Sequence, residues 1–258
     1  MFDTDLYKSY LRTDSLGQKI IYTSSTDSTN DSIWVSDYGI DSGVVLVAEE
    51  QTNGRGRNGH TWFSSARKSL TFSILSSLDE IDINKGMVPI AIGLCICESI
   101  NESIGNEASI KWPNDILIKG KKVCGILCET KMINGTEYIS IGIGININQL
   151  SGDFPLSLVD NVTSLAIAGG AVVRREKFLA VLINNIETML SKRSPADLKA
   201  LWRAYCDHSN KSVVFNSYNR RIAGEFAGIS NNGEALVMTG GSLETVSSGV
   251  IEYVKPSD

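Results

Sequence analysis

The chain has 258 residues, of which 42% are hydrophobic and 21% are charged. This apolar content excludes a disordered chain, and the length suits one large domain or one domain with a small appendage. The formal net charge of −5, from 24 basic and 29 acidic residues, argues against a general nucleic-acid coat. The charge is uneven, because residues 51–78 hold no acidic residue and four basic ones, Arg55, Arg57, Arg67 and Lys68.

The sequence carries no obvious targeting or zinc signal. No run of 18 apolar residues occurs and the N-terminus is acidic, so we expect neither a transmembrane helix nor a secretory signal. The five cysteines lie in apolar stretches such as 94–96 and 123–128, which predicts reduced thiols in a cytoplasmic protein. No Cys-x-x-Cys pair exists, and His60 and His208 are distant from the cysteines in sequence, so we expect no zinc site.

Hydrophobic patterning predicts alternating strands and helices up to about residue 206. Strands are predicted at 19–23, 43–50, 69–76, 109–112, 116–118, 122–131 and 137–146. Helices are predicted from a capping box at 28–31 to about residue 38, and at 85–104, 175–190 and 195–206. Residues 51–61 are too rich in glycine and arginine for either element and are predicted to form a loop.

The last fifty residues change character. Short strands are predicted at 213–215, 222–229, 235–239, 243–246 and 250–254. Their spacing of about 8–12 residues, with Gly/Asn turns, is typical of a small barrel. We therefore predict two domains, residues 1–209 and residues 210–258.

The predicted loop contains Gly54-Arg55-Gly56-Arg57-Asn58-Gly59, which formally matches the dinucleotide fingerprint GxGxxG. No helical pattern follows it, so we reject a Rossmann turn, and no P-loop motif occurs elsewhere. Glycines let a backbone approach a ligand closely, and arginine forks bind phosphate or carboxylate. The residues alone leave two alternatives open, an anion-binding loop or a solvated loop that touches nucleic acid or nothing.

Two further groups suggest a binding site. Lys111-Trp112-Pro113-Asn114-Asp115 offers a cation, an amide and a carboxylate where one strand ends. Lys122 begins an apolar strand, where its amine can be directed into a pocket. Gly125, Gly142 and Gly144 lie within predicted strands, which indicates either space for a ligand or a bulge or tight packing.

Taken together, these segments resemble the biotin–protein ligase family. The matching pieces are STN at 28–30, the stretch 51–62 around GRGRNGHTW, KWPND at 111–115, KKVCGIL at 121–127 and IGIGIN at 141–146. They follow the family's order and approximate spacing over nearly the whole chain. The resemblance implies an α+β fold, a mixed β-sheet with helices similar to the class II aminoacyl-tRNA synthetase core. A small C-terminal SH3-like β-barrel would follow it.

The resemblance also implies a two-step reaction that uses biotin, ATP and Mg²⁺. Biotin's carboxylate attacks the α-phosphate of Mg·ATP and gives biotinyl-5′-AMP and pyrophosphate. A lysine of a biotin carboxyl carrier protein or domain of a carboxylase then attacks the mixed anhydride, and AMP leaves. The STN motif lies only 27 residues from the start, so we expect a monofunctional cytoplasmic ligase with no DNA operator and no membrane partner. Relatives are monomers or dimers, which leaves a homodimer open.

The resemblance assigns roles to particular residues. Lys122 and Arg57 are implied as catalytic. The implied biotin-binding residues are Ser28, Thr29, Asn30, Gln51, Gly54, Arg55, Gly56, Arg57, Trp62, Lys122, Gly125, Gly142 and Gly144. The implied ATP-binding residues are Arg55, Arg57, Lys111, Asn114, Asp115, Lys122 and Asn146. No metal ligand is assigned.

One position departs from the family, which often has arginine where His60 stands. Histidine is mostly neutral near pH 7, so we give His60 no role in binding anions.

Two alternatives to a biotin ligase are retained. A nucleic-acid-binding module would use the arginine–glycine loop and the small barrel and would show a steep salt dependence. A lipoate-type ligase on the same core is similar but matches GRGRNGHTW and KWPND less closely.

Overall fold

The computed structural model describes residues 1–35, 40–192, 195–217 and 220–253. The helices in these ranges are Thr4–Tyr10 (α1), Thr29–Ser32 (α2), Val88–Ile104 (α3), Leu165–Gly169 (α4), Arg175–Lys192 (α5) and Pro195–Tyr205 (α6). The strands are Ile20–Thr23 (β1), Val44–Ala48 (β2), Ser69–Ser77 (β3), Ala108–Lys111 (β4), Asp115–Ile118 (β5), Lys121–Ile133 (β6), Thr136–Asn146 (β7), Ser212–Ser217 (β8), Arg220–Ile229 (β9), Ala235–Thr239 (β10), Ser242–Val246 (β11) and Val250–Tyr253 (β12).

The first seven strands form one mixed sheet in the order β1-β2-β3-β7-β6-β5-β4. β1 and β2 are parallel, and every other neighbouring pair is antiparallel. All residues of β2 and β3 are buried, because both faces of these central strands are covered. The fold is therefore α+β with a mixed sheet, as predicted.

Helix α3 is the main apolar helix of the core. Among the described residues, the stretch Lys85–Ile104 has the length and composition that would allow it to cross a membrane, but 67% of its most apolar window is buried inside the protein. It packs against α5 and α6, and its buried residues belong to the same cluster as those of the large sheet. Its apolar surface is therefore explained by its place in the core.

The last five strands form a second, antiparallel sheet in the order β11-β10-β9-β8-β12. The Trp112 indole joins this sheet to the large one, since it donates a hydrogen bond to the Gly233 carbonyl at 2.9 Å and packs edge-on against Phe215. The strands themselves are where the sequence predicted them. The closure of this sheet into an SH3-like barrel, and the domain limits, stay predictions.

The predicted helix at 28–38 is wrong in its length and its capping box. Helix α2 ends at Ser32, and the Ser28 side chain makes no cap hydrogen bond. Residues 36–38 of the predicted helix, and residue 254 of the predicted last strand, lie outside the described residues. Helices α1 and α4 were not predicted, because seven and five residues are too few to show a helical period.

Candidate active site

A cavity of about 360 Å³ lies where the large sheet, α2, the loop of residues 51–62 and the second sheet meet. Its volume falls in the range of small-molecule sites. The predicted residues that line it are Ser28, Thr29, Asn30, Gln51, Arg55, Gly56, Arg57, Trp62, Lys111, Asn114, Asp115, Lys122, Gly125, Gly142 and Gly144. The fold thus brings five separate sequence motifs to one place.

The three glycines form part of the cavity wall. Gly125 pairs with Gly144 across β6 and β7, and Gly142 shares their face because side chains alternate along a strand. A Cβ at Gly144 would overlap the Trp62 indole, and one at Gly142 would come within 2.7 Å of Asn30 Oδ1. The space beside Gly142 and Gly144 is therefore taken by Asn30 and Trp62. The part of the three glycines in binding biotin stays a prediction.

One end of the cavity is polar and built from neutral groups. Gln51 Oε1 accepts hydrogen bonds from the backbone N–H of Thr29 at 2.8 Å and from its hydroxyl at 3.0 Å. Ser73 Oγ donates to Thr29 Oγ1 at 2.9 Å from beneath, on β3. Ser73 was not among the predicted site residues. The sequence signal that could have indicated it is a polar residue within an apolar strand, because a buried polar group requires a hydrogen-bond partner.

The loop of residues 51–62 is shaped as a narrow hairpin over the cavity. Trp62 N–H donates to the Gly54 carbonyl at 2.8 Å, and Gly56 N–H donates to the His60 carbonyl at 2.7 Å. At the tip, Asn58 and Gly59 both have positive φ angles, 53° and 76°. Glycine adopts that conformation without cost, so the tip can turn sharply there. The predicted loop is confirmed as an ordered hairpin.

Arg55 extends from this hairpin to two carboxylates. Its guanidinium pairs with both oxygens of Glu129, at 3.1 and 2.8 Å, and its Nε donates to Asp31 Oδ2 at 2.9 Å. The hydrogen bonds that Arg55 donates to Glu129, and then those that it donates to Asp31, raise the pKa of Arg55. Its charge is therefore compensated by the protein.

The other end of the cavity is cationic. Lys122 Nζ lies 2.6 Å from Asp115 Oδ1 and 5.7 Å from the centre of the Trp62 ring. Arg57 Nη1 donates to Asn114 Oδ1 at 3.4 Å. The Asn114 amide in turn donates to the Ile126 carbonyl at 2.8 Å, which fixes it against β6. This end can therefore present fixed cations and hydrogen-bond donors to anionic groups.

Two predicted residues lie outside the cavity lining. Asn146 is buried, donates to the Thr163 carbonyl at 3.0 Å and accepts from Gln149 Nε2 at 3.0 Å. Gly54 is pressed against the hairpin, and a Cβ there would come within 2.7 Å of the Trp62 carbonyl. Asn146 and Gly54 therefore stabilise the structure around the cavity. The cavity also has lining from Gly249 and Ile251 of the second sheet region, which no motif had indicated.

The described residues contain no group of three or more His, Cys, Asp or Glu side chains that could hold a metal ion. The cavity lining does include the Asp115 carboxylate, which is a suitable oxygen ligand for Mg²⁺, although Lys122 pairs with it here. Magnesium usually keeps several waters and binds through substrate phosphates and one or two carboxylates. The donor set therefore fits a magnesium ion that arrives with a nucleotide.

The fold and the cavity together define a mixed-sheet domain that can bind a small molecule with a neutral polar ring at one end and anionic groups at the other. Comparison with known proteins narrows this class. The sequence model of the biotin/lipoate A/B protein ligase family matches residues 22–146. The chain is 32% identical over 252 residues to the bifunctional ligase/repressor BirA of Bacillus subtilis, which covers 94% of this chain and 76% of that protein.

Two further relatives agree. The biotin–[acetyl-CoA-carboxylase] ligase of Mycobacterium tuberculosis is 28% identical over 224 residues, which is 83% of this chain and 80% of that protein. The structure of the biotin protein ligase from Aquifex aeolicus in complex with biotin and ATP superposes with a TM-score of 0.78 at 29% identity, covering 91% of this chain and 98% of that one. The chain belongs to the biotin–protein ligases of the biotin/lipoate A/B protein ligase family.

Proposed function

We propose that this enzyme activates biotin with ATP as biotinyl-5′-AMP and transfers biotin to a lysine of a biotin carboxyl carrier domain. The observation that carries the proposal is the division of one cavity into a neutral polar end at Thr29 and Gln51 and a cationic end at Lys122 and Arg57. Biotin has the same division, a ureido ring at one end and a carboxylate at the other.

The polar end suits the ureido ring, which offers two N–H donors and one carbonyl acceptor. Hydroxyl and amide groups of Ser28, Thr29 and Gln51 can both donate and accept, so they can match such a ring. The cationic end would then receive the carboxylate. The orientation of biotin follows from hydrogen-bonding capacity at one end and charge at the other.

In the first step, a carboxylate oxygen of biotin forms a bond to the α-phosphorus of Mg·ATP, and the bond to pyrophosphate breaks. Two anions must approach each other, so the protein's work is positioning and charge stabilisation. Lys122 and Arg57 would supply positive charge there, and Asn114 would orient Arg57. No protein nucleophile is required.

In the second step, the neutral amine of the acceptor lysine forms a bond to the acyl carbon, the bond to AMP breaks and the amine loses a proton. The same cations would stabilise the leaving phosphate.

We also propose that the enzyme acts in the cytoplasm, which its reduced cysteines support. Independence from DNA and from membranes stays a prediction of the sequence.

The test is an incubation of the protein with Mg·ATP, a purified carrier domain and either biotin or lipoate. Streptavidin blotting and mass spectrometry of the carrier would measure transfer. We expect addition of biotin to one lysine, together with AMP and pyrophosphate. Lipoyl transfer without biotinyl transfer would assign the chain to the lipoate branch of the family, and no transfer of either acid would refute the proposal.

A further inference from the structure

Arg55 is the side chain that connects the hairpin of residues 51–62 to the opposite side of the cavity. It reaches Glu129 on β6 with two parallel hydrogen bonds and Asp31 on α2 with its Nε and one Nη. The hairpin makes other contacts as well. Thr52, at its base, donates to Asp27 at 2.6 Å in the segment that precedes α2, and Arg57 donates to Asn114 at 3.4 Å.

The carboxylate that Arg55 contacts is also hydrogen-bonded to a residue of the polar end of the cavity. Glu129 Oε2 accepts a hydrogen bond from Asn30 Nδ2 at 2.5 Å, and Asn30 Oδ1 accepts from Ser73 Oγ at 3.3 Å. Ser73 then leads to Thr29 and, through it, to Gln51 at the base of the hairpin. A circuit therefore runs around the polar end, because these hydrogen bonds link Arg55 to Gln51 and the hairpin backbone joins the two residues.

The charges in this circuit make Arg55 a poor ligand for a substrate anion. One guanidinium faces two carboxylates, so the local charge is negative, and all three of its nitrogens already donate to protein oxygens. A substrate carboxylate or phosphate would have to displace Glu129 or Asp31. The family resemblance had implied Arg55 as a ligand of both substrates, and the geometry favours another role.

We propose that Arg55 is a positioning residue that latches the hairpin closed over the bound acid through Glu129 and Asp31. The inference rests on the proposed function, because its effect is on retention of biotin and of the adenylate. A closed hairpin excludes water, which would otherwise hydrolyse the mixed anhydride, and slows the release of biotinyl-5′-AMP. A fork is needed to span two carboxylates, so lysine would not replace it.

Steady-state and single-turnover kinetics of Arg55→Ala, Arg55→Lys and Glu129→Gln provide the test. The glutamine variant keeps an acceptor for Asn30 while removing the charge. In each variant we expect the KM for biotin and the release rate of biotinyl-5′-AMP to rise about tenfold, a size typical of coupling within one network. The adenylation rate at saturating substrates should fall by less than about threefold. The double variant Arg55→Ala/Glu129→Gln should be no worse than either single variant.

Lys19→Ala is the matched control, since it breaks an exposed ion pair with Asp41. Lys19 immediately precedes β1, and three strands separate β1 from β6, which carries Glu129. Lys19→Ala should leave the KM for biotin and the release rate of biotinyl-5′-AMP unchanged. A loss of adenylation rate at saturating substrates as large as that of Arg57→Ala would overturn the latch, because Arg55 would then act on the reacting anions. Independent, multiplicative effects of the two single substitutions would overturn it as well.

A second measurement does not depend on turnover. Hydrogen–deuterium exchange of residues 51–62 should be faster in Arg55→Ala and Glu129→Gln than in the wild type or in Lys19→Ala, both with and without biotin. Unchanged exchange in the ligand-free protein would refute the latch even if the enzyme transfers biotin. Faster exchange in a protein that transfers no biotin would instead support the latch and refute the proposed function.

Discussion

At the scale of residues, the cations of the cavity differ in their partners. Lys122 pairs with one carboxylate, Asp115, at 2.6 Å, whereas Arg55 pairs with two. Arg57 lies beside the neutral amide of Asn114. Since a developing negative charge is best stabilised by a donor whose orientation is already fixed, Lys122 and Arg57 are the side chains for which we expect the largest kinetic effects.

Arg57 and His60 occupy the same hairpin and line the same cavity, which makes them a natural comparison. We expect Arg57→Ala to slow formation of biotinyl-5′-AMP by about 10²-fold, as for loss of one charge-stabilising donor. His60→Ala should slow it by less than about threefold, because we assign this residue no role in anion binding. Pyrophosphate release under single-turnover conditions measures both, and comparable losses would contradict the assignment.

Lys122 can be compared with its neighbour Lys121, which is exposed and outside the cavity lining. We expect Lys122→Ala to reduce the rate of adenylation by about 10²–10³-fold, because positive charge beside the α-phosphate would be lost. Lys121→Ala should have the wild-type rate. Detection of bound biotinyl-5′-AMP by mass spectrometry checks the outcome, and a Lys122→Ala protein that forms the adenylate at the normal rate would remove this lysine from the mechanism.

At the scale of elements, β6 and β7 act as a platform for Trp62. Gly125 and Gly144 lie beneath the indole, and Lys122 lies beside it on the same strand as Gly125. The indole Nε1 is buried without a hydrogen-bond partner among the described residues. The Trp62 indole can therefore occupy this position because the glycines below it have no side chains. The hairpin holds Trp62 above them.

This arrangement predicts the effect of one added methyl group. Gly144→Ala should push the Trp62 indole out of place and raise the Kd for biotin by about tenfold or more, because an overpacked contact must shift its neighbours. Gly152→Ala is the control, since its added Cβ meets nothing within 4 Å. Isothermal titration with biotin measures the affinity. An unchanged affinity in Gly144→Ala would show that the indole position does not matter for binding.

At the scale of the whole molecule, the two sheets share one apolar core, and His208 lies at their junction. The residue follows α6 and precedes β8, is fully buried, and has its ring centre 4.2 Å from that of Phe226. Neither ring nitrogen has a hydrogen-bond partner among the described residues. Burial lowers the pKa of His208 from 6.5 to about 4, with Asp207, Lys111 and Lys211 as the neighbouring charges.

A lowered pKa in the folded state means that folding favours the neutral imidazole. The contribution to stability is complete above pH 6.5, where the unfolded chain is also neutral, and is lost as the pH falls from 6.5 towards 4. We expect the wild type to lose about 2 kcal/mol of unfolding free energy between pH 7 and pH 5 from this group. Urea unfolding at both pH values measures the loss.

His208→Phe keeps an aromatic ring at this position and cannot be protonated. Its unfolding free energy should therefore fall less than that of the wild type between pH 7 and pH 5, by about the same 2 kcal/mol. Carboxylates with lowered pKa values, such as Glu49 and Glu187, lose their contribution at lower pH and affect both proteins equally. Parallel pH dependences in the two proteins would contradict the burial of a neutral histidine.

The order of motifs along the chain determined the family, the mixed sheet and nearly all of the cavity lining. This succeeded because GRGRNGHTW, KWPND and the glycine strand are local patterns, and because the long strands and α3 have clear periods. Local patterns failed where a residue's partner is distant in sequence. Ser28 looked like a helix cap, yet α2 lasts only one turn and the serine lines the cavity.

Only the tertiary structure decided what each charge and each glycine does. Arg55 and Arg57 are equivalent in the sequence, two residues apart in one loop. The fold places Glu129, which is 74 residues from Arg55, and Asp31 around the first, and Asn114 beside the second. Likewise, the strand pairing of Gly125 with Gly144 creates the seat of Trp62. The physical reason is that electrostatic and packing effects depend on distances in space, which sequence separation does not encode.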